Sequence, residues 1–161
     1  EEMLPLQAAG LDVVTVPGVS SVFAGAAALG AELTIPDLNQ TVILTRMEGR
    51  TPVPEKERLR SLAQHQATLV LFLSAGLIEK AVAELTQGYP EDTPVAVVYK
   101  ISRPDQKIIR GTLADIAGRV EAENLTSTAM IIVGKALSRD VPPSRLYSDS
   151  FSHGFRDGGE T

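Results

Sequence analysis

An α/β fold, a three-layer sandwich around a mixed, mostly five-stranded sheet, is what this chain predicts, and three observations predict it. Short apolar runs, T-V-I-L-T, T-L-V-L-F-L, P-V-A-V-V-Y and M-I-I-V, alternate with stretches whose apolar residues recur at helical spacing. The runs are continuous instead of alternating with polar residues, as in strands covered by helices on both faces. The turn Ser102-Arg103-Pro104-Asp105 is too short for a crossover, so the strand after it returns antiparallel and the sheet is mixed.

Taken in order, Met3 to Ala9 has the composition of a helix tail, ended by Gly10 in a left-handed turn that lets Leu11 fold back on the last turn. Val13 to Val16 alternates β-branched residues and predicts a strand, which Pro17-Gly18 stops. Ser20 or Ser21 then offers a hydroxyl to the bare amides of a helix over 21–29, rich in Ala and Gly and closed by Gly30. Residues 34–40 form a polar loop, and 41–45 a strand buried on both faces. Pro54 suits the first turn of a helix over 55–65, with Leu59, Leu62 and Ala63 on one face.

A strand over 68–73 leads through Ser74-Ala75-Gly76 to a helix over 77–86, carrying Ile78, Val82 and Leu85 inward and stopped by Gly88 and Pro90. Strands over 94–99 and 106–110 flank the turn at Ser102. Thr112 is the expected cap of a helix running through Asn124, with Leu113, Ile116, Ala117 and Val120 inward. The last strand, 130–133, ends at Gly134, and from Ser138 the composition is that of an irregular tail.

Composition narrows the function. A chain of 161 residues with 43% hydrophobic and 22% charged residues is the size and make-up of one globular unit. No apolar run approaches the ~20 residues that a bilayer span needs, so no membrane partner is expected. The absence of Cys removes disulfides and thiolate chemistry and fits a cytoplasmic protein, while His65 and His153 alone do not make a conventional zinc site. A net charge of -5 with 4% aromatic residues argues against nucleic acid as a partner. A small-molecule ligand is the expectation. The start, Glu1-Glu2-Met3, reads as cut from a longer chain.

The crevice beyond a strand's carboxyl end, faced by a helix N-terminus, is where α/β proteins hold small ligands. Ser20 and Ser21 stand at such a place, either as plain caps or as ligand contacts. Basic residues gather in the loops at Arg46, Arg50, Lys100, Arg103, Lys107 and Arg110, which suits a polycarboxylate ligand but equally a solvated surface. Phosphate-loop, serine-nucleophile and paired-histidine motifs are absent.

The segments V-x-x-V-P-G-V-S-S, T-V-I-L-T-R-M-E-G-R-T-P-V-P, T-L-V-L-F-L-S, T-P-V-A-V-V-Y-K-I-S-R-P-D-Q-K-I-I-R-G-T-L and S-H-G-F-R resemble the C-terminal portion of the tetrapyrrole methylase family, in its precorrin-4 branch. P-G-V-S-S and R-G-T-L belong to the family at large, whereas T-R-M-E-G-R-T-P-V-P and R-P-D-Q-K carry the narrower likeness. The resemblance implies a methyltransferase that uses S-adenosyl-L-methionine in a cleft between two α/β domains and methylates ring carbon 11 of precorrin-4 or cobalt-precorrin-4 in cobalamin biosynthesis. The family's N-terminal glycine-rich strand end and its G-D-P segment have no counterpart here.

Residues 1–18 are then the closing helix and strand of an N-terminal domain, 19–137 the C-terminal α/β domain and 138–161 an irregular tail. By resemblance Ser20, Ser21, Leu73, Ile101 and Thr128 are the cofactor contacts. Arg46, Arg50, Lys100 and Arg103 are the expected contacts to the carboxylates of the tetrapyrrole. Neither a catalytic acid or base nor a metal is expected, because methyl transfer from a sulfonium depends chiefly on alignment and exclusion of water. A homodimer is expected, with residues 1–18 packed on a neighbouring chain. Two other classes stay open: a family member with a different substrate, such as an rRNA or diphthamide enzyme, and a non-catalytic α/β binding or dimerisation module.

Overall fold

The computed structural model describes residues 1–49, 51–72, 75–125 and 128–138. Its elements are α1 (Met3–Ala8), α2 (Ser21–Leu29), β1 (Val42–Arg46), α3 (Leu59–Ala63), β2 (Thr68–Phe72), α4 (Ile78–Leu85), β3 (Pro94–Tyr99), β4 (Lys107–Thr112), α5 (Ile116–Ala122) and β5 (Ala129–Val133). The strands form one five-stranded sheet in the order β1-β2-β5-β3-β4. β1 and β2 run parallel, β5 lies antiparallel between β2 and β3, and β4 pairs antiparallel with β3. The mixed sheet is therefore as expected. Its consequence is that β1, β2 and β3 all finish at one edge, the edge at which β5 begins.

Each inner strand sends alternate residues to opposite faces. One face carries Leu69, Leu71, Val95, Val97, Ile131 and Val133 against α3, α4 and α5, which contribute Leu59, Ala63, Ile78, Ala81, Leu85, Ile116 and Val120. The other carries Val70, Ala96, Val98, Met130 and Ile132 against Val22 and Leu29 of α2, with Leu33 and Leu137. These are the three layers, and they explain why the inner strands read as unbroken apolar runs.

Four local devices shape the helix ends and their connections. Gly10 (φ 73°) and Gly30 (φ 60°) end α1 and α2 in the left-handed conformation, and the Leu11 amide returns to the Leu6 carbonyl at 3.1 Å. Gly88 lies so close to the end of α3 that a Cβ there would stand 2.4 Å from the Ala63 carbonyl carbon. The Tyr89 hydroxyl, buried, donates to the Ala67 carbonyl at 2.5 Å, tying the exit of α4 to the entry of β2. Burial pushes the Tyr89 phenol above its ordinary pKa.

Several expectations are corrected. Residues 11–20 form no strand, and Val14 and Val16 are 83% and 80% exposed. Alternation alone does not make a strand without a ladder partner, and the described residues place β1 and β4 at the sheet's edges with nothing beside 13–16. β1 is not buried on both faces: as an edge strand it leaves Leu44 54% exposed. The helix expected over 55–65 is a 3₁₀ turn, Glu55–Glu57, followed by the short α3. Thr112 caps nothing. It ends β4, and its amide donates to Asp115 Oδ1 at 2.8 Å, so α5 starts three residues later than expected, with Asp115 in the N-cap position. That bond, with Arg119 beside it, holds the Asp115 carboxyl below its usual range. The expected irregular tail, 138–161, lies outside the described residues from Arg139 onward.

Candidate functional site

The edge where β2 and β3 end and β5 begins bears a pocket of about 250 Å³. Phe72 and Val98 come from the last turns of β2 and β3, Ala129 and Met130 from the start of β5, and Ser21 from the first turn of α2. Lys100, Ile101, Arg103 and Thr128 complete the wall. Of the cofactor residues expected from sequence, Ser21, Ile101 and Thr128 meet here, and so do two of the expected substrate residues, Lys100 and Arg103. Leu73 and Arg50 lie outside the described residues.

Ser20 stands one residue behind the pocket, at the N-cap of α2, where its hydroxyl accepts from the Val22 amide at 3.3 Å. The capping role expected for a serine here belongs to Ser20, while the neighbouring Ser21 lines the pocket. Arg46 is in register with Phe72 across β1 and β2, but its guanidinium turns back on its own loop. It donates to the carbonyls of Met47, Thr51 and Pro52 at 3.5, 3.3 and 3.1 Å. Its donors brace the backbone at Met47, Thr51 and Pro52, and Arg46 is not among the residues that line the pocket. Lys107 and Arg110 lie further off, Lys107 paired with Glu123 at 2.6 Å.

The turn after β3 is wired internally. Lys100 Nζ meets Asp105 Oδ2 at 2.5 Å and sits 5.0 Å from the centre of the Tyr99 ring. The hydrogen bond to Asp105 raises the Lys100 ammonium pKa and lowers that of the Asp105 carboxyl. Gln106 Oε1 accepts from the Ser102 amide at 3.1 Å. Asp105 and Gln106 of R-P-D-Q-K are thus used to shape the loop. Arg103 enters no salt bridge among the described residues and is the basic side chain on this wall available to an anionic ligand.

Lys100 (φ 46°), Ser102 (φ 66°) and Thr128 (φ 54°) all hold left-handed backbone at this one site. For a β-branched residue such as Thr128 that conformation is a true outlier, and such residues collect at functional sites. Phe72, Val98, Ala129 and Met130 are the pocket residues that sequence reasoning missed. The signal for them was present, since each lies at a strand end beside an expected contact, but which face each would take depends on register.

Two larger hollows exist, of about 410 Å³ between α4 and α5 and about 370 Å³ near His65 and Lys135. Among the described residues no strand residue lines either one. Of these three hollows, the smaller one joins strand ends to the first turn of a helix, the arrangement that binds ligands in open α/β sheets.

Comparison with known proteins bears on this arrangement. Residues 1–117 match the family model described as Tetrapyrrole (Corrin/Porphyrin) Methylases. The chain is 52% identical over 158 residues to the cobalt-precorrin-4 C(11)-methyltransferase of Methanocaldococcus jannaschii, covering 97% of this chain and 61% of that protein. It is 44% identical over 159 residues to the precorrin-4 C(11)-methyltransferase of Pseudomonas aeruginosa, covering 98% and 64% respectively. Among solved structures, a cobalt precorrin-4 methyltransferase superposes with a TM-score of 0.81 at 54% identity, over 85% of this chain and 58% of that one. The uroporphyrin-III C-methyltransferase of Thermus thermophilus, complexed with S-adenyl homocysteine, superposes with a TM-score of 0.64 at 26% identity, over 84% and 58%. The chain therefore spans about three-fifths of the length of the curated relatives it matches.

Proposed function

The chain belongs to the tetrapyrrole methylase family, and from that membership we propose that it is part of an S-adenosylmethionine-dependent methyltransferase. In this reading the enzyme methylates carbon 11 of precorrin-4 or cobalt-precorrin-4 in cobalamin biosynthesis, as the names of its relatives suggest. The observation that carries the reading is the meeting of Ser21, Ile101 and Thr128 with Lys100 and Arg103 around one strand-edge pocket.

The residues fit the cofactor. Hydroxyls of Ser21 and Thr128 suit its polar groups, and Phe72, Val98, Ile101 and Met130 give the apolar surface that a nucleoside ring needs. At about 250 Å³ the pocket is smaller than the roughly 300–1,000 Å³ of sites that enclose a whole drug-sized ligand. It embraces one part of such a molecule, and the reading assigns the rest of the cleft to chain beyond these 161 residues.

Bound there, S-adenosylmethionine would supply an electrophilic methyl group on a sulfonium. The task of this chain is positional. Ser21 and Thr128 orient, the apolar floor excludes water, and Arg103, with Lys100 behind it, attracts the carboxylates of the tetrapyrrole. No side chain is assigned to proton transfer. The reading includes a homodimer, supported by the exposed apolar side chains Val14, Val16, Val19 and Phe23, which a second chain would cover.

The test uses the full-length protein. Calorimetry should show S-adenosylmethionine binding that Thr128→Trp abolishes, and mass spectrometry should show precorrin-4 or its cobalt form gaining one methyl group. Retention of affinity in Thr128→Trp would move the cofactor elsewhere, and a methylated tetrapyrrole of another kind would change the substrate. Sedimentation that stays monomeric at rising concentration would remove the dimer.

A further inference from the structure

Arg110 was one of the loop cations that sequence grouped as candidate contacts for a polycarboxylate, yet the structure places its charge elsewhere. Its Nη2 donates to the Leu29 carbonyl at 2.7 Å, joining edge strand β4 to the last residue of α2 across 81 positions of sequence. We infer that Arg110 is a positioning residue for the cofactor pocket: by anchoring the far end of α2, it fixes where that helix presents Ser21. The inference rests on the proposed placement of S-adenosylmethionine in that pocket.

Few side chains of α2 anchor it to the sheet. Its sequence, S-V-F-A-G-A-A-A-L, contains no charged residue and buries only Val22, Gly25 and Leu29. At its C-terminus the amides of Gly30 and Ala31 close on the Ala27 and Ala26 carbonyls. The Leu29 carbonyl is one of the terminal acceptors that a helix cannot satisfy by itself. A guanidinium is the best partner for it, because the donor is charged and because a cation suits the negative end of the helix dipole.

The middle of the helix is seated with little clearance. A Cβ on Gly25 would stand 2.8 Å from Met130 Cε and 3.4 Å from Val98 Cγ2. Both of those side chains floor the pocket. Gly25 lets α2 lie directly on Val98 and Met130, so any shift of the helix is passed straight to the pocket floor. Ser20 fixes the N-terminal turn only to itself, through Val22. Arg110 supplies the bond from α2 to the sheet, and a nine-residue helix of about 13 Å moves as a rod. Slack at Leu29 is therefore delivered to Ser21.

The experiment compares the full-length wild type with Arg110→Met, which keeps an unbranched apolar stem but loses the charge and the donors, and Arg110→Lys, which keeps a cation. In Arg110→Met, hydrogen-exchange protection of the α2 amides should fall about tenfold, the size of one charge-assisted hydrogen bond, while β3 and β5 keep theirs. The dissociation constant for S-adenosylmethionine should rise about tenfold with that for the tetrapyrrole unchanged. Arg110→Lys should restore most of both. Unchanged α2 protection would overturn the inference, and so would an equal loss across the whole sheet or an equal loss of both ligands. The Thr128→Trp control separates the two readings: if it leaves S-adenosylmethionine affinity intact, the site itself is withdrawn and this inference with it.

Discussion

The Lys100 amide donates to the Thr128 carbonyl at 2.9 Å, and both residues hold left-handed backbone, at φ 46° and 54°. The bond adds one rung to the β3–β5 ladder beyond the Tyr99–Ala129 pair, at the rim of the pocket. Two non-glycine residues in this conformation cost about 1–2 kcal/mol each. The sheet's inner strands hold that strain in place, and it fixes the direction in which the 100–103 turn leaves.

Thr128→Gly should relieve the strain and remove the hydroxyl. Stability to urea should stay level or rise by up to about 1 kcal/mol, as lost strain offsets the entropy of an added glycine. S-adenosylmethionine affinity in the full-length protein should fall about fivefold. A loss of stability with affinity intact would show that Thr128 supports the fold and not the site.

Tyr89→Phe should leave the buried Ala67 carbonyl without its donor and destabilise the chain by about 1–2 kcal/mol. The pH dependence has a definite sign. Burial raises the folded-state pKa of this phenol, so its contribution is complete below the unfolded value of about 10 and is lost as pH rises above that, towards the folded pKa. Unfolding free energy measured from pH 8 upwards should therefore decline more steeply in wild type than in Tyr89→Phe. Parallel curves would contradict the assignment.

Gly88→Ala should be among the costly single-methyl additions. The new Cβ meets backbone, at 2.4 Å from the Ala63 carbonyl carbon and 2.7 Å from the Gln64 nitrogen, and backbone has no rotamer by which to yield. A loss of about 2–3 kcal/mol in urea unfolding is expected. A substitution that is neutral would mean that α3 and the turn after α4 are further apart than described.

Arg46→Ala and Arg103→Ala should differ in kind. Arg46 braces three carbonyls of its own loop, so its loss should speed hydrogen exchange over residues 47–53 while S-adenosylmethionine binding stays intact. Arg103→Ala should leave exchange unchanged and weaken tetrapyrrole binding, with a shallower dependence on salt. The reverse pattern would return Arg46 to the substrate and make Arg103 structural.

Sequence by itself determined the layered sheet, because the inner strands T-L-V-L-F, P-V-A-V-V-Y and M-I-I-V are apolar on both faces and only a doubly covered sheet accepts them. It also determined the ends of α1 and α2 at Gly10 and Gly30, since cap chemistry is local. Much of the pocket wall was legible for the same reason, Ser21 and Ile101 lying beside a turn or strand end. What only the tertiary structure decided were matters of partnership. Val13 to Val16 has the pattern of a strand but, among the described residues, no neighbour to pair with, and β1 looks like an inner strand but lies at an edge. Arg46 and Arg110 look like loop cations open to a ligand, yet they meet backbone carbonyls, one, five and six residues away for Arg46 and 81 away for Arg110. A strand is completed by hydrogen bonds to another strand and a cation by the acceptor it reaches, and neither partner is written in the local sequence.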